Sequence, residues 1–280
     1  MTKNVKMAFG AITLITALLG ASNIAVAQGG YMPPAKRVPP GVASAKLTSD
    51  LPTPRRADGH PDLTGVWGGT PPGKGTFVGL RRQGTFEADQ GTSQRASEWN
   101  KPIYKPEFWK KVRSLDYSRV DVDPAYNCTE PGVPRQNAPN RIIQFDTYVM
   151  IFNGGNFRVV PTDGKPHTDL EKDQLSDNGV PRAHWDGDTL IVESVGFSGN
   201  SWIQWTGYFH TDALKVTERL WRKGNFLYYN WTVDDPNVLV EPWTQDTMIH
   251  VLNTAPVQAT IPGTPCEITG IPIGNPYLRG

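Results

Sequence analysis

Cysteine is nearly absent from this sequence: its 280 residues include two, Cys128 and Cys266. Two thiols cannot complete the four-ligand set of a structural zinc site. The five histidines add no HxH, HExxH or close His/Cys cluster. A site gathered from His167, His184, His210 and an acid is the remaining route to a metal, and no spacing supports it, so no metal is expected. An excess of charge is missing too. The 28 Lys and Arg face 27 Asp and Glu, with no long run of one sign. Nucleic-acid binding needs a concentrated basic surface, so that class is disfavoured, as is a membrane-surface role. Phosphate loops, dinucleotide fingerprints and nucleophile elbows are also lacking, which argues against a nucleotide cofactor and against a covalent serine mechanism. No cofactor is expected.

The sequence has one long apolar run, residues 7–20, behind Lys3 and Lys6 and ahead of Ala25-Val26-Ala27. It is too short for a comfortable membrane span and has the layout of an export signal cleaved after residue 27. The expected location is the periplasm or the exterior of the cell, with no stable membrane insertion. Removing 27 of the 280 residues leaves 253, enough for one large β domain. In an oxidising compartment the isolated cysteines are expected to pair, with two free thiols as the alternative.

Residues 28–61 are rich in Pro and Gly and poor in large apolar side chains, which predicts a flexible arm. The folded domain is expected over 62–255, with Trp67 pinning its first strand, and a surface-running tail over 256–280. Phe108, Trp109, Val112 and Leu115 recur at helical spacing and predict one short helix. Strands follow at 141–145, 148–153 and 156–161, and the polar stretch 162–182 reads as a candidate lid. From His184 to Val240 the pattern is strand, turn, strand, with Asp186-Gly187 and Gly224-Asn225 between apolar runs. The fold class is therefore all-β, an antiparallel meander forming a lipocalin-like barrel, with a short N-terminal helix and long loops.

Alternation gives the functional clue. Val216, Glu218 and Leu220 share one face of a strand, and Thr217, Arg219 and Trp221 share the other. If Glu218 turns inward, it and His210 could meet at a cavity mouth as acid and base. A structural salt bridge through Glu218 or Arg219 is the competing role. Arg158 and Arg219 are candidate anion stabilisers, and Tyr228 a hydrogen-bond donor. Asp163 and His167 lie in a Gly- and Pro-containing loop where turn chemistry and ligand contact are both open. Trp202, Trp205 and Tyr208 crowd a polar loop and are candidate walls for an aromatic, terpenoid or sugar-like ring.

Several motifs carry a resemblance. They are PDLTGVW at 61–67, PGVPR at 131–135, TDGKPH at 162–167, WDGDTLIVES at 185–194, GFSGNSWI at 196–203 and HTDALKVTER at 210–219. Together they resemble a group of exported, largely uncharacterised bacterial β-barrel proteins. Such proteins tend to carry a cysteine before the PR loop and another near the C-terminus, matching Cys128 and Cys266. The resemblance implies a lipocalin-like barrel and no particular reaction. The resulting expectation is a small-molecule enzyme using acid–base chemistry without a cofactor, a lyase, isomerase or hydrolase. A non-catalytic binding or carrier protein is the alternative.

Overall fold

The computed structural model describes residues 50–68, 77–78, 100–115, 122–154 and 156–254. The expected signal segment, most of the expected arm, the C-terminal tail and Cys266 lie outside the described residues.

The chain forms an antiparallel meander that nearly closes on itself. The strands are β1 (Gly65–Gly68), β2 (Phe77–Val78), β3 (Arg141–Gln144), β4 (Tyr148–Asn153), β5 (Asn156–Pro161), β6 (Val180–Asp186) and β7 (Thr189–Val195). They continue as β8 (Trp202–Gln204), β9 (Tyr208–Phe209), β10 (Lys215–Lys223), β11 (Phe226–Asp234), β12 (Trp243–Thr244) and β13 (Thr247–Leu252). The main sheet runs β5-β4-β3-β1-β13-β11-β10-β7-β6. β1 joins its two halves, pairing with β3 through Gly65 and Val66 and with β13 through Trp67 and Gly68. The terminal strands β5 and β6 lie against each other, so the barrel is closed there by proximity. β8 and β9 form a separate ribbon.

Period-two alternation decides what lies inside. On β10, Val216, Glu218, Leu220 and Arg222 are buried, and Thr217, Arg219 and Trp221 are partly exposed. On β11, Leu227, Tyr229, Trp231 and Val233 are buried with them. Trp67 is also buried and donates through Nε1 to the Leu63 carbonyl at 3.0 Å, which anchors the short first strand. The expected helix is present as a 3-10 turn, Pro106–Phe108, followed by Trp109–Ser114, with Trp109 and Val112 buried.

Two tight hairpins hold β6, β7, β10 and β11 in register. Lys223 pairs with Phe226 around Gly224-Asn225, as the sequence suggested. The other turn is one residue later than expected: Asp186 pairs with Thr189, and Gly187-Asp188 forms the bend. Gly187 and Gly224 both have φ of 56°, a conformation that suits glycine and the twist of a two-residue hairpin.

These turns and the one between β3 and β4 gather at one end of the barrel, the turn end. Residues 50–61, the last of the expected flexible arm, fasten them. Arg55 grips Asp188 with two hydrogen bonds, Arg56 reaches Asp146, and Thr53 Oγ1 accepts from the Gly224 amide. His60 stacks on Trp185 with centroids 4.4 Å apart. Polar pairing holds this stretch in place despite its lack of apolar side chains.

The expected lid also has structure. Within it, Asp169–Asp173 is a short helix with a complete capping box between Thr168 and Glu171. Glu171 also pairs with Arg182 at 2.7 Å, tying that helix to β6. The reading of 162–182 as a polar stretch assigned Glu171 neither role.

Candidate functional site

The remaining loops gather at the opposite, loop end, where several of the sequence motifs meet. PGVPR lies against the turn that contains Asp177: a Cβ added to Gly132 would fall 2.0 Å from the Asp177 carbonyl oxygen, so this approach admits only glycine. Ser198, from the GFSGNSWI segment, donates to Asp177 through its hydroxyl. Ser201, from the same segment, approaches His210, which opens the HTDALKVTER motif, at 3.0 Å from Oγ to Nε2.

The surroundings of His210 define its proton state. Its Nδ1 lies 2.9 Å from the Thr211 carbonyl, which only accepts, so Nδ1 carries the hydrogen and Nε2 presents a lone pair to the Ser201 hydroxyl. His210 and Ser201 are each 3% exposed. Burial pushes the His210 pKa below its usual value of 6.5; the Thr211 carbonyl and the nearby Asp235 and Asp177 oppose that shift, and Lys111 adds to it. The imidazole is thus neutral at pH 7 and able to accept a proton. Asp235, fully buried, accepts from the Thr211 amide and hydroxyl and fixes the carbonyl that orients the ring. Phe197 meets the ring edge-on at 5.9 Å.

Beside this dyad, Arg135 forms a buried two-point pair with Asp123 at 2.8 and 2.6 Å. Its guanidinium lies 5.4 Å from the Trp202 ring and 4.5 Å from the Trp205 ring. Trp202 is buried and Trp205 is 51% exposed, so the cation is layered between the core and solvent. Tyr208 is buried edge-on against Trp243 at 5.6 Å and packs as core.

Glu218 belongs to a different network. It faces the barrel interior, where Arg158 of β5 grips it with hydrogen bonds of 2.6 and 2.9 Å and the Tyr229 hydroxyl donates to it at 2.9 Å. Burial opposes the Arg158 charge, yet attraction to Glu218 raises its pKa overall; burial and the adjacent carboxylate raise Tyr229 well above its ordinary value. His210 and Glu218 therefore do not form the acid–base pair that the sequence suggested. Glu218 takes the competing role of a buried salt bridge.

The other expected residues are dispersed. Arg219 and Tyr228 are on the outer face of the sheet, Arg219 donating to Thr232 and Tyr228 stacked on Trp221 at 5.2 Å. Burial raises the Tyr228 pKa. Asp163 pairs with Lys165 and Arg182, which hold its pKa below the ordinary carboxylate value. His167 contacts the Val180 carbonyl through Nε2 at 2.8 Å. Cys128 ends a 3-10 turn in the left-handed conformation, and among the described residues no cysteine is free.

Sequence reasoning missed Ser201, Asp235 and the Asp123–Arg135 pair. Ser201 lies nine residues before His210, across the β8–β9 ribbon, a separation that no linear motif marks. Among the described residues, no three His, Cys, Asp or Glu side chains are grouped to hold a metal ion. No family model, no curated protein and no solved structure matches this chain.

Proposed function

We propose that this protein is an exported enzyme that performs acid–base chemistry on a small organic molecule at the Ser201–His210 dyad, and that the reaction is hydrolysis of an acyl bond. One observation carries the reading: a neutral, tautomerically fixed imidazole turns its free Nε2 toward a serine hydroxyl at 3.0 Å. This is a covalent serine mechanism, which the lack of a nucleophile elbow argued against and the Ser201–His210 geometry favours: Ser201 Oγ attacks the acyl carbon while its proton passes to Nε2. Collapse of the intermediate breaks the bond to the leaving group, which takes the proton back, and water then releases the acyl group by the same path. Asp235 and Asp177 favour the transient imidazolium by charge. Trp202, Trp205 and the Arg135 cation form the adjacent wall for a ring-bearing substrate. The chemistry needs no cofactor.

The proposal includes export through the N-terminal segment to the periplasm or beyond, membership of the exported barrel group that the motifs resemble, and a Cys128–Cys266 disulfide. The second reading is a non-catalytic carrier, favoured by the near-complete burial of Ser201 and His210. Incubation with a fluorophosphonate and with p-nitrophenyl esters tests both. Labelling of Ser201 and ester turnover, each lost in Ser201→Ala and His210→Gln, support the enzyme. Retention of a small molecule with neither labelling nor turnover moves the reading to the carrier.

A further inference from the structure

A cleft lies at the turn end, bordered by β10, β11 and the turn between β6 and β7. It is an open depression of about 440 Å³ lined by Arg219, Trp221 and Lys223 from the outer face of β10, together with Arg222, Asn230, Asp188, Thr53 and Thr189. That volume falls within the range of small-molecule sites.

Its charge is unbalanced. Asp188 is the one acid among the described residues of the lining, and Arg55 already holds both of its carboxylate oxygens, at 2.8 and 2.7 Å. Among the described residues, none of the three lining cations has a carboxylate partner. Arg219 donates one bond, through Nη1 to the Thr232 hydroxyl at 3.2 Å. Arg222 donates to the backbone carbonyls of Gly224 and Asp62. Lys223 lies 6.0 Å from the Tyr228 ring. Burial lowers the Arg222 pKa, and the nearby Asp62 charge opposes that shift without cancelling it.

Its wall is aromatic. Trp221 lines the cleft, and Tyr228 lies behind it in a stack with rings only 11° from parallel. The stack fixes the indole, so its remaining face is a flat, pre-ordered surface. Arg219, two residues earlier on the same side of β10, presents a planar fork suited to a carboxylate.

We propose that this cleft binds a planar aromatic carboxylate, with the ring on Trp221 and the carboxylate between Arg219 and Lys223. The site is independent of the Ser201–His210 dyad. It lies on the second half of β10: Arg219 and Lys223 are four and eight residues beyond Lys215, roughly 13 and 26 Å at about 3.3 Å per residue.

The test is calorimetric titration of the full chain with benzoate, benzamide, cyclohexanecarboxylate and sulfate. Benzoate is expected to bind at least about tenfold more tightly than each of the others, a difference of about 1.4 kcal/mol. Arg219→Gln and Trp221→Leu are each expected to weaken benzoate about tenfold or more. Arg219→Lys, which keeps the charge and loses the fork, should retain part of the affinity. Circular dichroism should show all three variants folded, as their side chains lie outside the core. Equal binding of benzoate and benzamide, equal binding of benzoate and cyclohexanecarboxylate, sulfate binding as tight as benzoate, or unchanged affinity in Arg219→Gln would each overturn the proposal. Binding is the readout, so the result does not depend on turnover at the dyad.

Discussion

Removing Arg158 should cost more than removing Arg158 and Glu218 together. The pair lies within the barrel with side-chain exposures of 5% and 0%, so Arg158→Met leaves a carboxylate in the interior with only the Tyr229 hydroxyl to meet it. Breaking one side of such a pair typically costs about 3–5 kcal/mol, a large share of the roughly 5–15 kcal/mol that holds a domain folded. In the double variant Arg158→Met/Glu218→Leu, apolar groups replace the ions and the principal loss is the unpaired Tyr229 hydroxyl, about 1–3 kcal/mol. The double variant should therefore be more stable than Arg158→Met alone. Urea unfolding at pH 7, followed by Trp fluorescence and circular dichroism to check for coincident transitions, measures this. A double variant no more stable than Arg158→Met alone would refute the reasoning.

Two further predictions concern titration. The folded-state pKa of His210 is depressed below 6.5, so the unfolded chain binds more protons in that window and stability should fall as pH drops below about 6.5. NMR titration of the ring should give a midpoint under 6.5, and His210→Gln should flatten the slope of urea midpoint against pH between about 5 and 7. Glu171 is held down to about 2 by Arg182 and the Thr168 amide, so its contribution is present above 4.5 and lost as pH falls toward 2. Amide shifts of Thr168 and Glu171 should move together across that interval in the native protein and stay fixed there in Glu171→Gln.

Sequence reading succeeded where the information is local. Alternation along β10 put Glu218 and Arg219 on opposite faces, leaving open which face is inside, and Gly224 marked its hairpin, because both signals lie within a few residues. The short helix around Trp109 was legible from four apolar positions for the same reason. The site was less legible because its contacts are long-range. Which arginine meets Glu218 depends on how β5 reaches β10, 60 residues away in sequence. Arg158 and Arg219 have the same chemistry and opposite surroundings. His210 read as a partner for Glu218 because the two are eight residues apart, but β10 carries Glu218 into the interior and leaves His210 with Ser201 among the loops. Residues 50–61 looked unstructured because their anchors are charges that meet distant turns, which apolar content does not register.

The position of β1 between β3 and β13 governs the order in which the barrel can assemble. β3, β4 and β5 can form as successive hairpins, and so can β6 with β7 and β10 with β11, all from neighbouring stretches of chain. β1 cannot complete its pairing until β13 has emerged, since Trp67 is paired with Leu252. The entropy of closing that span must be lost before the pairing rewards it, which slows folding. A chain delivered N-terminus first would therefore hold Trp67 and one edge of each half-sheet exposed until β13 arrives, which makes the interval before β13 one of heightened exposure to aggregation.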